Sequence, residues 1–253
     1  MSREMLNLRA AAEHAHVDEN ELKHVAQRGE IAAEKRGDSW FFDHKALDEW
    51  AQRNLLAGSR KEISGQHLHM MQSQSKNERD SWRVSRLFRP DAINLALKSK
   101  TKGGTIRDMT DLAIASGLVY DDEGLFKELV AREEAAPTAI GMGCAFLHPR
   151  YHDPYFFEDT FVAYAKSQRP IFFGAPDGEA TRHFFLVCST DHEQHLMILA
   201  RLAVLAHGTP LLERLDGASD PEEAISTIAE CEEELLRGHG DLVWRFIHDH
   251  PQG

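Results

Sequence analysis

Apolar residues recur three and four apart through the first fifty positions, which is the spacing of one helix face. Leu6, Leu8, Ala11, Ala12 and Ala15 predict a first helix with Asn7 as its cap. Val17-Asp18-Glu19-Asn20 reads as a turn into a second helix over 21–28, stopped by Gly29. Ile31–Lys35 and Ser39–Phe42 then read as two strands joined by Arg36-Gly37-Asp38, a hairpin turn. Asp43 caps a further helix that turns Leu47, Trp50 and Leu55 inward.

The pattern is lost over residues 57–85, where Ser, Gln, Asn, Gly and basic residues dominate, as expected of a linker. It resumes with Leu112, Ala113, Ala115 and Ser116, a helix ended by Gly117, and with a second helix from Asp122 to Glu133. Strands are expected at 143–147, 160–165 and 183–188. A long helix at 192–206 carries Leu196, Leu199, Leu202 and Leu205. A last helix spans Asp220 to Leu236, with Pro221 tolerated in its first turn. Helices interleaved with strands predict an α/β sandwich, a mixed β-sheet between helices, over residues 86–253. Leu242, Trp244, Phe246 and Ile247 fit either an added strand or an added helix.

Composition narrows the class of protein. Apolar residues make up 42% of 253, enough for a sizeable core in two domains. No apolar run reaches the roughly 18 residues of a membrane helix, and Met1–Met5 lacks a signal-peptide core. Three scattered cysteines with no C-x-x-C disfavour a disulfide framework and a zinc ribbon. A cytoplasmic protein without metal or other cofactor is expected. The net charge of −12 is uneven: residues 59–89 are basic, and residues 90–253 carry 27 acidic against 14 basic groups. Nucleic-acid binding by the acidic part is disfavoured.

Candidate chemistry centres on His148, lifted from the apolar run Cys144-Ala145-Phe146-Leu147 and followed at once by Pro149-Arg150. A neutral imidazole is a good nucleophile toward phosphorus. Arg132, 16 residues earlier, and His195, 47 later at the head of the long helix, could stabilise an added phosphoryl charge. Cys144 points to the core by alternation. His14-Ala15-His16 and His67-Leu68-His69 read as solvated residues.

Arg132-Glu133, Thr138, Gly141-Met142-Gly143, Ala145 and His148-Pro149-Arg150 keep the order and spacing of a phosphotransferase-system family. The segment resembles the IIA phosphoacceptor domain of the fructose/mannitol and nitrogen-regulatory branch. Arg169–Gly178 and the run Phe184–Cys188 fall in the same order, so the resemblance covers residues 86 to 236. The chain departs at Leu147, where the family has Pro, and at Pro149, where it has a small residue. The resemblance implies that His148 accepts a phosphoryl group from the system's histidine-containing phosphocarrier protein. His195 and Arg132 would assist, with Thr138, Gly141, Gly143 and Arg150 around the phosphate. Backbone N–H groups at the two glycines would approach a phosphoryl oxygen.

Leu8-Arg9-Ala10-Ala11-Ala12, Arg28–Ala33, the hairpin Lys35–Phe42 and Leu47-Asp48-Glu49-Trp50 resemble an excisionase-type winged helix-turn-helix domain over residues 1–56. This resemblance implies DNA binding through Lys23, Arg28, Lys35 and Arg36, with a homodimer as one route to useful affinity. A nitrogen-regulatory type of transcription regulator follows as the expected function. A sugar-transport IIA that passes phosphate to a IIB partner, or an interaction module that binds protein instead of DNA, are the alternatives.

Overall fold

The computed structural model describes residues 5–57, 82–150 and 156–237. The chain divides into two compact units, Met1–Asp80 and Ser81–Gly253.

In the first unit, strand β1 (Met5–Asn7) leads into α1 (Leu8–Ala15) and α2 (Glu19–Arg28). The hairpin β2 (Ala33–Arg36) and β3 (Ser39–Asp43) follows, then α3 (His44–Ala57). Asn7 caps α1 by accepting from the Ala10 N–H, and Gly29 ends α2 at φ 73°. Asp43 accepts from the Ala46 N–H at 3.0 Å and so starts α3. Leu6, expected in the first helix, instead pairs with Phe42 in a sheet of order β1-β3-β2. Period alone could not separate a three-residue strand from the helix that it abuts. Ala11, Leu22, Phe42, Leu47 and Leu55 form the buried centre. The linker expected over 57–85 falls largely outside the described residues, as does His67-Leu68-His69.

The second unit opens with a short 3₁₀ turn, Val84–Leu87, and β4 (Phe88–Leu97). There follow α4 (Lys102–Ala115), α5 (Asp122–Ala135), β5 (Ala139–Gly141), β6 (Cys144–Leu147), β7 (Phe161–Ile171) and β8 (Thr181–Cys188). Helices α6 (His192–Gly208), α7 (Leu211–Gly217) and α8 (Pro221–Arg237) complete it. The sheet order is β4-β7-β8-β6-β5. β4 and β7 run parallel, as do β6 and β8, while β7 and β8 and the β5–β6 hairpin are antiparallel. The sheet is therefore mixed, as expected.

Phe184, Leu186 and Cys188 face Ile106 and Met109 of α4 and Leu125 and Leu129 of α5 in one core. Tyr164, Phe185 and Val187, on the other face by alternation, are also buried. There Lys166 donates to the Leu215 and Asp216 carbonyls of α7, so helices cover both faces. Double coverage explains the unbroken apolar run of β8. β4 and β5 form the two edges of the sheet. Pro90, which has no N–H to donate, falls on β4, an edge strand. Among the described residues no single helix is long and apolar enough to cross a membrane. The expected structure of 237–253 lies almost wholly outside the described residues.

Candidate functional site

β6 and β8 are parallel, so both end on one side of the sheet, where the antiparallel β7 begins. Open α/β sheets commonly place their sites beyond the carboxyl ends of strands. His148 follows β6 directly, and α6, which follows β8, carries His195 in its first turns. Asp191 holds that helix start by accepting from the Gln194 N–H at 2.8 Å. The two imidazole rings lie 5.1 Å apart, tilted by 58°, and both are fully buried.

Arg132 reaches the same point from the last turn of α5. Its Nε donates to His148 Nε2 at 2.9 Å, and a terminal nitrogen donates to the Ala136 carbonyl at 2.8 Å. His148 Nδ1 lies 2.9 Å from the Phe146 carbonyl oxygen. A carbonyl only accepts, so Nδ1 carries the ring proton and Nε2 keeps its lone pair. The neighbours thus fix one tautomer, with the Nε2 lone pair turned towards Arg132. The structure brings Arg132, His148 and His195 together at this point.

Thr138 donates both its N–H and its hydroxyl to Glu133 Oε2. Lys102 pairs with the other oxygen of Glu133 at 2.6 Å. Thr138 therefore braces the α5–β5 junction. Its carbonyl accepts from Phe146 N–H, next to the carbonyl that holds His148.

Gly141 and Gly143 require a correction. They sit in the β5–β6 turn with φ of 92° and 73°, at the opposite end of β6 from His148. Five residues of extended chain separate Gly143 from His148 by roughly 16 Å. Their role is conformational. A Cβ on Gly141 would lie 2.7 Å from Asp177 Oδ2, which accepts from the Met142 N–H. The Gly143 carbonyl accepts from the Arg182 and His183 N–H groups. Arg150 is half-buried two residues past His148. Cys144 is buried in the core, and burial pushes its thiol pKa well up, which removes it as a nucleophile.

In the first unit Lys23, Arg28, Lys35 and Arg36 are all exposed. Two of these cations are engaged within the chain: Arg28 with Glu30, and Arg36 with Glu34 at 2.8 Å. His14, expected to be solvated, is half-buried, with Nε2 2.6 Å from Asp48 Oδ1. That partner lies 34 residues away in sequence, out of reach of local periodicity.

Sequence reasoning also missed three supporting contacts. Lys102 steadies Glu133, Thr160 donates to Gln194 at 2.7 Å, and Glu232 anchors the start of the unit.

The fold is that of the EIIA domains of the sugar phosphotransferase system. The structure of nitrogen regulatory protein IIA-Ntr from Neisseria meningitidis matches 57% of this chain and 98% of its own, with a TM-score of 0.52 and 22% identity. Residues 86–231 match the family described as phosphoenolpyruvate-dependent sugar phosphotransferase system, EIIA 2, and the chain belongs to that family. It is 30% identical over 149 residues to a nitrogen regulatory protein of Bradyrhizobium diazoefficiens, covering 58% of this chain and 94% of that one. It is 29% identical over 152 residues to a fructose-specific EIIA component of Haloferax volcanii, covering 59% and 97%. The chain therefore carries an EIIA-like component of regulatory or sugar-transport type.

Proposed function

We propose that His148 Nε2 accepts a phosphoryl group from the phosphohistidine of the system's phosphocarrier protein, and that the protein uses this state for regulation. The carrying observation is the fixed tautomer: Nδ1–H donates to the Phe146 carbonyl while Nε2 faces Arg132. The P–N bond of the donor breaks as the P–Nε2 bond forms. The ring gains positive charge in that step, and the Phe146 carbonyl stabilises it through Nδ1–H. The incoming group displaces the Arg132–Nε2 bond, which frees the guanidinium to bond a phosphoryl oxygen. His195, 5.1 Å away between ring centroids, is positioned as the second donor to that group. The chemistry is positioning and charge stabilisation, and each bond made replaces one of the same kind.

Regulation is preferred to sugar transport because the EIIA-like unit follows a separately folded unit of helices and a hairpin. The strand, helix–helix, hairpin, helix order of that unit supports reading it as a winged-helix output module. The fructose-specific name of one relative supports the transport reading, in which phosphate passes on to a IIB partner.

The test is incubation with phosphoenolpyruvate, the first enzyme of the system and the phosphocarrier protein. One acid-labile phosphate on His148 is expected by mass spectrometry, and none in His148→Ala. Arg132→Ala should slow labelling by about one to two powers of ten, the value of one charge-assisted hydrogen bond. Undiminished labelling of His148→Ala refutes the proposal. Onward transfer to an isolated IIB domain would favour the transport reading.

A further inference from the structure

His14 lies in the last turn of α1, and His44 and Asp48 stand one helical turn apart at the start of α3. Residues four apart on a helix share a face, so His44 and Asp48 point the same way. One ligating atom from each of the three side chains falls within 4.8 Å of the other two. His14 Nε2 is 2.6 Å from Asp48 Oδ1, and His44 Nδ1 is 3.6 Å from Asp48 Oδ2. The two imidazoles are 4.6 Å apart between centroids.

The surroundings favour a built site over a chance surface cluster. The side chains of Asp48, His14 and His44 keep 13%, 21% and 32% of their exposure, so the group is recessed yet reachable. Ala15 and Leu47, next to the ligands in sequence, and Trp50, two residues past Asp48, are buried and fix both helices. Asp43 caps α3 immediately before His44 and sets that helix start.

We propose that His14, His44 and Asp48 bind a divalent first-row transition cation, with zinc as the fitting example. Two imidazole nitrogens and one carboxylate suit zinc, cobalt(II) and nickel(II), and are a poor match for calcium or magnesium. Ligand atoms around a tetrahedral zinc stand roughly 3.3 Å apart, given bonds of about 2.0–2.2 Å. The 2.6 Å to one Asp48 oxygen and the 3.6 Å to the other bracket that spacing, and all three ligand atoms lie within 4.8 Å of one another, so side-chain adjustment brings them to the ion. Three protein ligands leave one position for water. The ion ties α1 to α3, and metal concentration then sets the stability of the first unit. The proposal is independent of the phosphoacceptor reading.

The experiment titrates the full chain with cobalt(II) and zinc. Cobalt should give the visible absorption of tetrahedral coordination at one equivalent, and zinc should displace it and raise the unfolding temperature. Asp48→Asn and His44→Gln should each weaken binding by more than the roughly 10–100-fold that loss of an outer hydrogen-bonding partner costs. His148→Ala should bind as the parent does. Should either variant lose its circular-dichroism signature, ¹⁵N shifts of the His14 and His44 rings on zinc addition give the same answer in the unaltered chain. Absence of saturable binding, binding that survives both substitutions, unmoved rings, or loss of binding in His148→Ala would each overturn the proposal.

Discussion

His183 and His148 are both buried imidazoles at the sheet, and their neighbours give them different chemistry. His183 has its Nδ1 2.9 Å from the Tyr164 hydroxyl and its Nε2 3.6 Å from Asp216 Oδ1. A proton on Nε2 faces the carboxylate, so Nδ1 accepts from Tyr164. Burial dominates and lowers the pKa from 6.5 to about 4; Asp216 opposes the shift, and Arg182 and Lys166 add to it. The folded state therefore prefers the neutral ring. The unfolded chain takes up its proton near the ordinary value, and the folded protein only near 4. The stabilisation is complete above pH 6.5 and is lost as pH falls from there toward 4, by up to about 3 kcal/mol. His183→Gln keeps an acceptor for Tyr164 but cannot titrate. Urea unfolding from pH 7 to 4 should show a shallower acid loss in that variant than in the parent. Identical slopes would mean that other groups carry the acid limb.

At the scale of elements, α6 joins the proposed site to the first turn of its unit. His195 is near its start, and Arg201, further along, meets Glu232 of α8 at 3.1 Å with both side chains fully buried. Burial brings the Arg201 pKa down to about 10, against the pull of Glu232. Glu232 also accepts from the Val84 and Ser85 N–H groups at 2.8 and 3.0 Å. Breaking a buried pair by removing one partner costs about 3–5 kcal/mol, which is the expected loss for Glu232→Ala. Replacing both partners with apolar residues often restores stability. Here Arg201→Met with Glu232→Leu should recover only part of the loss, because Val84 and Ser85 keep unmet N–H donors. Full recovery in urea midpoints would show that the two backbone bonds contribute little. This clamp was not legible in sequence, since its partners are 147 and 148 residues apart. Most helices were legible through periodicity and the Gly29 and Gly117 stops, but the two-turn α7 was too short to show a period. β4 was not legible, because Arg89-Pro90-Asp91 breaks its alternation. His148 and Arg132 were singled out through the resemblance of the Arg132–Arg150 segment to the IIA family, and the structure brings them together. The glycines were misplaced because their role was taken from the resemblance, although the strand between them and His148 already put them at its other end.

At the scale of the whole molecule, charge is uneven along the chain: residues 59–89 are basic, and residues 90–253 are strongly acidic. The second unit is acidic, so the DNA-binding reading rests on the first unit and on the basic residues towards its end. Lys23, Arg28, Lys35 and Arg36 are the cations that the winged-helix reading assigns to DNA. Exposed ion pairs such as Arg28–Glu30 and Arg36–Glu34 are worth about 1 kcal/mol or less, so DNA can compete for these arginines at low salt only. Four phosphate contacts bound the salt dependence: log K should fall with log salt at a slope no steeper than roughly −4. Fluorescence anisotropy on the full chain, over about 50–200 mM salt, should therefore show weak binding that fades across the range. A steeper slope would mean that Arg60, Lys61, Lys76 and Arg79 also contact phosphates, and their replacement should then bring the slope back to the bound. Phosphorylation at His148 adds negative charge to the acidic unit, so the same titration on the phosphorylated protein tests whether the two units communicate. No saturable binding in either state would leave a protein partner as the target of the first unit.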